Sequence, residues 1–267
     1  MSTPIKNTLI KFYWLLSSQF GLDPLRFIRS IRGLPSFIRD WRWFRQGYSG
    51  RLTLVPCLHD RFEEGGVTKS EYFWQDLLVA RWIYEAKPER HVDVGSRVDG
   101  FVAHVASFRE IEVFDVRPIT SLVPGVIFRQ ADLMDANSLP SDIAGGYCDS
   151  LSCLHALEHF GLGRYGDSID PRGWERGFAN MAALLKPGGT FYLSTPIGCE
   201  RVEFNAHRVF NPQTLIESAK TSKLHVQALT IIGSGGTVSP VALTEESFKQ
   251  LALVRYRLGI FIFMKTS

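Results

Sequence analysis

Four aspartates, Asp93, Asp115, Asp132 and Asp149, recur through the middle of this chain at intervals of 22, 17 and 17 residues. Each lies in or just beyond a short run rich in β-branched and aromatic residues: His91-Val-Asp-Val94, Ile111-Glu-Val-Phe-Asp115, Val126 to Gln130, and Tyr147 to Cys153. An interval of this size holds one strand, a turn and a helix, so the pattern reads as a train of βα units. Such a train closes into a mostly parallel sheet with helices on both faces. The fold expected is a Rossmann-like, doubly wound α/β sheet of seven strands.

The remaining elements fill in around that train. Ser70 is placed to start a helix over Tyr72–Tyr84, and a second helix is expected over Phe101–Phe108. His155–Phe160 reads as a short helix and Pro171–Leu185 as a longer one. Lys186-Pro-Gly-Gly189 reads as a turn into a fifth strand, Thr190–Ser194. A helix over Pro212–Ala219 and strands at Val226–Ile232 and Gly259–Met264 complete the domain, taken as residues 70–267.

Residues 1–69 stand outside the alternation and are read as a helical and irregular extension. Its helices are expected to be divided at Gly21 to Pro24 and at Gly33-Leu34-Pro35, with Phe37, Ile38, Trp41 and Phe44 along one helix face. Charge distinguishes this segment. Residues 1–47 hold eight basic side chains against Asp23 and Asp40, whereas the whole 267-residue chain is only +3. Three roles are open for it: an apolar cover on the core, peripheral contact with an anionic membrane, or nucleic-acid binding. The last is not expected, because the rest of the chain is acidic and shows no nucleic-acid module.

A hydrophobic fraction of 45% excludes a disordered chain. Cys57, Cys148, Cys153 and Cys199 have no metal-ligand or redox spacing and read as reduced thiols. The best apolar stretch, Leu9 to Leu16, is interrupted by Lys11 and is far short of the ~20 residues of a membrane span. The expected location is the cytoplasm, peripherally at the inner membrane.

Open α/β sheets bind ligands beyond the carboxyl ends of their strands, where strand order reverses. Asp93-Val-Gly-Ser-Arg-Val-Asp-Gly100 falls there after the first strand, and Gly95 permits a tight turn and close backbone approach. Asp115 ends the second strand, where a carboxylate can grip a ribose diol.

These residues resemble class I S-adenosylmethionine-dependent methyltransferases over residues 91–219. Asp93-x-Gly95 resembles the glycine-rich first motif, Asp115 the ribose-binding acid, and Asp132-Leu133 the pair beside the adenine. Asp149 through Cys153 to His155-Ala-Leu-Glu-His159 is similar to the fourth-strand motif bordering the transferred methyl. Leu184-Leu-Lys-Pro-Gly-Gly189 before a strand is the most specific match. The Gly-Ser-Arg-x-Asp-Gly variant also resembles a bacterial group catalogued only as a domain of unknown function.

The resemblance implies S-adenosylmethionine as cofactor. It would be held by Asp93, Gly95, Ser96, Arg97, Asp99 and Gly100, by Asp115, Val116 and Arg117, and by Asp132, Leu133 and Ser152. Arg97 and Asp99 stand where the family has its second and third glycines. Arg97 therefore either crowds the cofactor or pairs with its carboxylate.

Methyl transfer to a hydroxyl needs alignment and a base. His155, Glu158 and His159 are the candidates; the competing reading has His159 merely packing the short helix. No third ligand accompanies the two histidines, so no metal is expected. His207 and Arg208, in the loop after the fifth strand, are candidates for binding an acceptor, with a salt bridge from Arg208 to Glu200 or Glu203 as the structural alternative. Asp167 and Asp170 belong to a solvated loop or a lid. The activity expected is O-methylation of a saccharide or other small hydroxyl acceptor, in cell-surface glycan synthesis. The alternative is a non-catalytic scaffold that keeps the fold.

Overall fold

The computed structural model describes residues 4–266 apart from 67, 142 and 144. The outer limits of the two expected segments, 1–3 and 267, lie outside the described residues. The chain divides into two compact units, 1–67 and 68–267.

In the first unit, α1 (Pro4–Trp14) leads through a π turn into α2 (Pro24–Gly47). The break expected at Gly33-Leu34-Pro35 does not occur. Asp23 caps α2 by accepting from the amides of Leu25 and Arg26, both at 3.0 Å, and Pro24 starts the first turn. Pro35 removes one helical hydrogen bond, yet the helix continues through it, and Gly33 serves as a packing notch. A β-carbon there would lie 1.9 Å from the Leu58 carbonyl oxygen, so only glycine admits that loop.

The second unit is built on ten strands: β1 (His91–Val94), β2 (Ile111–Asp115), β3 (Val126–Gln130), β4 (Cys148–Leu154), β5 (Leu185–Ile197), β6 (Arg201–Glu203), β7 (His207–Val209), β8 (Leu224–Ile232), β9 (Val238–Pro240) and β10 (Arg257–Lys265). Eight of them form one sheet in the order β3-β2-β1-β4-β5-β10-β8-β9, and β6 and β7 pair with each other. Strands β3 to β5 of that order are parallel; β10 pairs antiparallel with both β5 and β8, and β9 pairs antiparallel with β8. The sheet is thus the expected Rossmann-like one with eight strands instead of seven. The extra strand, β9, is a three-residue exposed edge ending in Pro240, too short and too polar to carry a pattern.

Alternate residues of each strand supply the two cores. Val92, Val94, Leu151, Phe191, Leu193, Phe261 and Phe263 pack on one face with Phe178 and Met181 of α5 (Gly173–Leu184) and Leu215 of α6 (Pro212–Thr221). Ile111, Val113, Tyr192, Leu258 and Ile260 pack on the other with Val79, Ala80 and Ile83 of α3 (Glu71–Ala86). Ser70 caps α3 as expected, accepting from the Tyr72 amide at 3.2 Å.

Three local readings change. The helix expected over 101–108 is a π turn at Val98–Val102 followed by a single turn, α4 (Ala103–Ala106). Gly100 is non-helical, and His104 and Ser107 divert backbone carbonyls into side-chain hydrogen bonds. Lys186-Pro-Gly-Gly189 is not a turn before β5 but a bulge within it: Cys148 pairs with Leu185 and Ser150 with Thr190, so one residue of β4 opposes four of β5. An unforeseen helix, α7 (Glu245–Leu253), is capped by Thr244.

Candidate functional site

A cleft of about 800 Å³ opens where β1, β2, β3 and β4 end. Gly95 begins its floor. Its φ of +73° turns the chain out of β1, its amide donates to the Phe114 carbonyl at 2.9 Å, and a β-carbon would come within 2.9 Å of the Ala156 β-carbon. Ser96, Arg97, Asp99, Gly100, Asp115, Val116, Arg117, Asp132, Leu133, His155 and His159 line this cleft.

Asp93 and Ser152 are not on the wall. Asp93 is fully buried and accepts from the Ser96 amide (3.0 Å), Ser96 Oγ (2.7 Å) and Ser152 Oγ (2.5 Å). These two residues brace the turn after β1 against β4. Burial lifts Asp93 to about 7, although its three hydrogen bonds favour the charged form. Asp149 is further away, at the opening of β4, where it accepts from the amides of Glu89 and Arg90, both at 2.7 Å.

Arg97 neither enters the cleft floor nor stands free for a carboxylate. It forks onto Asp99 (Nε to Oδ1 3.0 Å, Nη2 to Oδ2 2.6 Å), with both side chains 71% exposed at the rim. Asp115 is similarly engaged by its neighbour. Its Oδ1 accepts from the Arg117 amide (2.8 Å) and Nε (3.0 Å), and its Oδ2 from Nη2 (2.7 Å). Arg117 also lies 4.4 Å from the ring centre of Tyr165. Asp132 folds back to accept from the Met134 amide at 2.9 Å.

The two histidines are in different states. His155 is buried, stacks on Tyr72 with ring centres 4.3 Å apart, and donates through Nδ1 to Glu158 at 2.8 Å. Burial pulls its pKa down, but the hydrogen bond to Glu158 and the charges of Glu158, Glu71 and Asp76 outweigh that and raise it. His159 Nδ1 lies 2.7 Å from the Ala206 carbonyl oxygen, which can only accept, and 3.4 Å from Arg164 Nη1, which can only donate; the shorter contact puts the proton on Nδ1 and the lone pair on Nε2, 3.9 Å from Glu158 Oε1. Burial lowers His159, keeping it neutral. Arg164 donates to the same carbonyl at 2.9 Å.

Glu158 is corrected from a candidate catalyst to a positioning group. It is absent from the cleft wall, 1% exposed, and held between His155 and Thr195 Oγ1 (3.2 Å). Arg208 is corrected as well. It is buried, and its guanidinium donates to the carbonyls of Glu158 (3.4 Å), Phe160 (2.5 Å) and Pro171 (3.3 Å), tying down the loop after β4. Of the two acids expected beside it, Glu203 pairs with Arg201 at 3.0 Å and Glu200 accepts from Thr214 Oγ1 at 2.9 Å. His207 lies on β7, half-buried against Tyr256 and away from the cleft wall.

Sequence reasoning missed the opposite wall. Tyr72, Gln75 and Asp76 of α3 line the cleft, as do Arg164, Tyr165 and Asp167 of the loop after β4. The available signal was a polar pair, Gln75-Asp76, interrupting the otherwise apolar buried face of α3. Asp167 is partly buried. It accepts from the amides of Gly161 (2.8 Å), Gly163 (3.2 Å) and Tyr165 (3.2 Å), and so shapes the loop that presents Tyr165.

A family model described as a Caenorhabditis protein of unknown function, DUF268, matches residues 144–217, from the approach to β4 into α6. No curated protein sequence matches the chain. Among solved structures, the chain is similar to the N-methyltransferase NodS of Bradyrhizobium japonicum in complex with S-adenosylhomocysteine: 12% identity, TM-score 0.49, over 76% of this chain and 90% of that one. It is also similar to a 1,6-didemethyltoxoflavin-N1-methyltransferase of Burkholderia thailandensis (13%, 0.47, 74% and 80%) and to the [4+2]-cyclase SpnF (14%, 0.49, 72% and 80%). At these identities the activities of those proteins remain theirs alone.

Proposed function

We propose that residues 68–267 form an S-adenosylmethionine-dependent methyltransferase acting on a hydroxyl of a saccharide or other small acceptor, with His159 as the base. The observation that carries this is the fixed tautomer of His159 on the wall of the cleft that also holds Gly95 and Asp115. The residues fit the cofactor. Gly95 turns the chain out of β1 at a positive φ so that the residues after it line the cleft, and Asp115 offers a carboxylate at the end of β2 for a diol. When bound, S-adenosylmethionine supplies a methyl group on a sulfonium, which needs no covalent help from the protein.

The chain's own contribution is alignment and proton removal. A sugar hydroxyl stays protonated near neutral pH, so a basic lone pair on a residue of the cleft wall accelerates its attack by about 10²–10⁴-fold. His159 Nε2 has that lone pair because the Ala206 carbonyl holds the proton on Nδ1. His155 is a poorer base than His159, because Glu158 and Glu71 favour its protonated form against its burial. It is suited to donate a hydrogen bond to an anionic or carbonyl oxygen beside Tyr72.

Titration calorimetry with S-adenosylmethionine and S-adenosylhomocysteine tests the reading. Saturable binding of either is expected. The absence of binding heat at millimolar ligand overturns the proposal and leaves the fold as a scaffold.

A further inference from the structure

Helix α2 turns apolar side chains outward. Its packed side is mixed: Arg26 Nε meets His59 Nε2 at 3.0 Å, Arg32 lies 5.2 Å over the Phe62 ring, Gly33 abuts Leu58, and Phe37 and Trp41 are partly buried. Its outward side is apolar. Phe27, Ile28, Ile31 and Leu34, at i, i+1, i+4 and i+7, share one face and are 66%, 52%, 56% and 44% exposed. A single turn further, the same stripe carries Ile38, Arg42 and Arg45, with Trp43 76% exposed beside them. A groove of about 540 Å³ runs between Leu34, Ile38, Arg42 and Trp43.

An apolar stripe of this extent marks a surface that is covered in use, and the charge selects the cover. Arg42 and Arg45 have no carboxylate partner among the described residues. The two acidic residues of 1–47 are already committed, Asp23 to the cap of α2 and Asp40 to Arg39 and Arg61. A second copy of this face would bring the same positive charge and repel. A partner that presents apolar depth beneath a negative surface satisfies both halves of the stripe, and an anionic lipid bilayer is such a partner.

We infer that α2 lies flat on an anionic membrane, with Phe27, Ile28, Ile31 and Leu34 in the acyl boundary and Arg42 and Arg45 at the lipid phosphates. No described helix is long and apolar enough to cross a membrane, which is consistent with a surface-lying one. This inference is independent of the proposed activity.

The test is co-sedimentation of the full chain with vesicles of phosphatidylglycerol and phosphatidylcholine in equal parts, against vesicles of phosphatidylcholine alone. Binding is expected to the first and not the second, and it should weaken as salt is raised. Arg42→Gln with Arg45→Gln should weaken it by about fivefold per arginine. Ile28→Ser with Ile31→Ser should reduce it by more than about tenfold, with circular dichroism unchanged because both positions are exposed. Failure to bind anionic vesicles overturns the proposal, as does binding that both double variants leave intact. If the chain instead sediments as a dimer that Ile28→Ser with Ile31→Ser converts to monomer, without vesicle binding, the face is an interface between copies and the membrane reading is wrong.

Discussion

Asp115 cannot serve Arg117 and a ribose diol through the same pair of oxygens. The guanidinium forks onto that pair at 3.0 and 2.7 Å, which is the bidentate edge a diol also uses. On the reading proposed here, ligand entry therefore breaks the fork, and Arg117→Ala removes a competitor. Charge-assisted bonds contribute about 1.5–3 kcal/mol each where water is excluded. Arg117 is 41% exposed, so screening brings the pair down toward the ~1 kcal/mol of surface ion pairs. The contact of Arg117 with Tyr165 is lost on the same displacement and acts in the same direction. Arg117→Ala should then tighten S-adenosylhomocysteine binding by about fivefold, read by titration calorimetry. Asp115→Ala alone should weaken it by more than about tenfold, and in that background Arg117→Ala should change nothing. Weaker binding in Arg117→Ala would show that the guanidinium touches the ligand, and the competition argument would fall.

His159→Gln should lower methyl transfer by about 10²–10⁴-fold while S-adenosylhomocysteine affinity stays within about twofold. Because burial lowers His159, the acid limb of the rate profile should lie below the ordinary histidine value, and a limb above neutrality would exclude this base. Arg208→Met leaves three carbonyls without their donor and should cost about 3 kcal/mol or more in denaturant unfolding. A raised KM for the acceptor at unchanged stability would return Arg208 to the acceptor site. Asp93 rises from 3.8 to about 7 on folding, so between those values the folded protein holds a proton that the unfolded chain has released. Its contribution to stability is present below about pH 4 and is lost as pH climbs to about 7. Asp93→Asn should flatten that part of the stability curve, and an unchanged slope would mean that Asp93 is ionised in the fold throughout.

The centre of the sheet was legible because β1, β2 and β4 are buried almost throughout. Short runs rich in β-branched and aromatic residues around Val92, Val113 and Leu193 leave little freedom of assignment, and β1, β2 and the more exposed β3 fall at the residues expected. What escaped was set by local polar contacts or by long-range packing. Gly33-Leu34-Pro35 carries the signature of a helix end, yet the helix runs through it and its glycine admits the Leu58 carbonyl instead. Lys186 to Gly189 carries the signature of a turn, yet pairing across to β4 makes it a bulge. In both cases glycine was correctly read as a special position, and its partner lay elsewhere in the chain.

The site was legible by position but not by role. Strand ends locate Gly95, Asp115 and Asp132, since in a doubly wound sheet the carboxyl edge is where polar residues can converge. Roles depend on which atom faces which partner, and spacing does not encode that. Glu158 and His159 are adjacent in sequence, yet one is sealed between His155 and Thr195 and the other reaches the cleft. Arg208 and Arg164 look alike as loop arginines. One is consumed by three carbonyls, whereas the other lies on the cleft wall and shares with His159 the carbonyl that fixes its tautomer. The β6–β7 hairpin touches both pairs, delivering the Ala206 carbonyl to His159 and the Arg208 guanidinium to the backbone beside it, while His155 and Thr195 seal Glu158. The fold's least patterned element thus helps set which polar side chains are engaged, which is why composition and spacing name the candidates without ranking them.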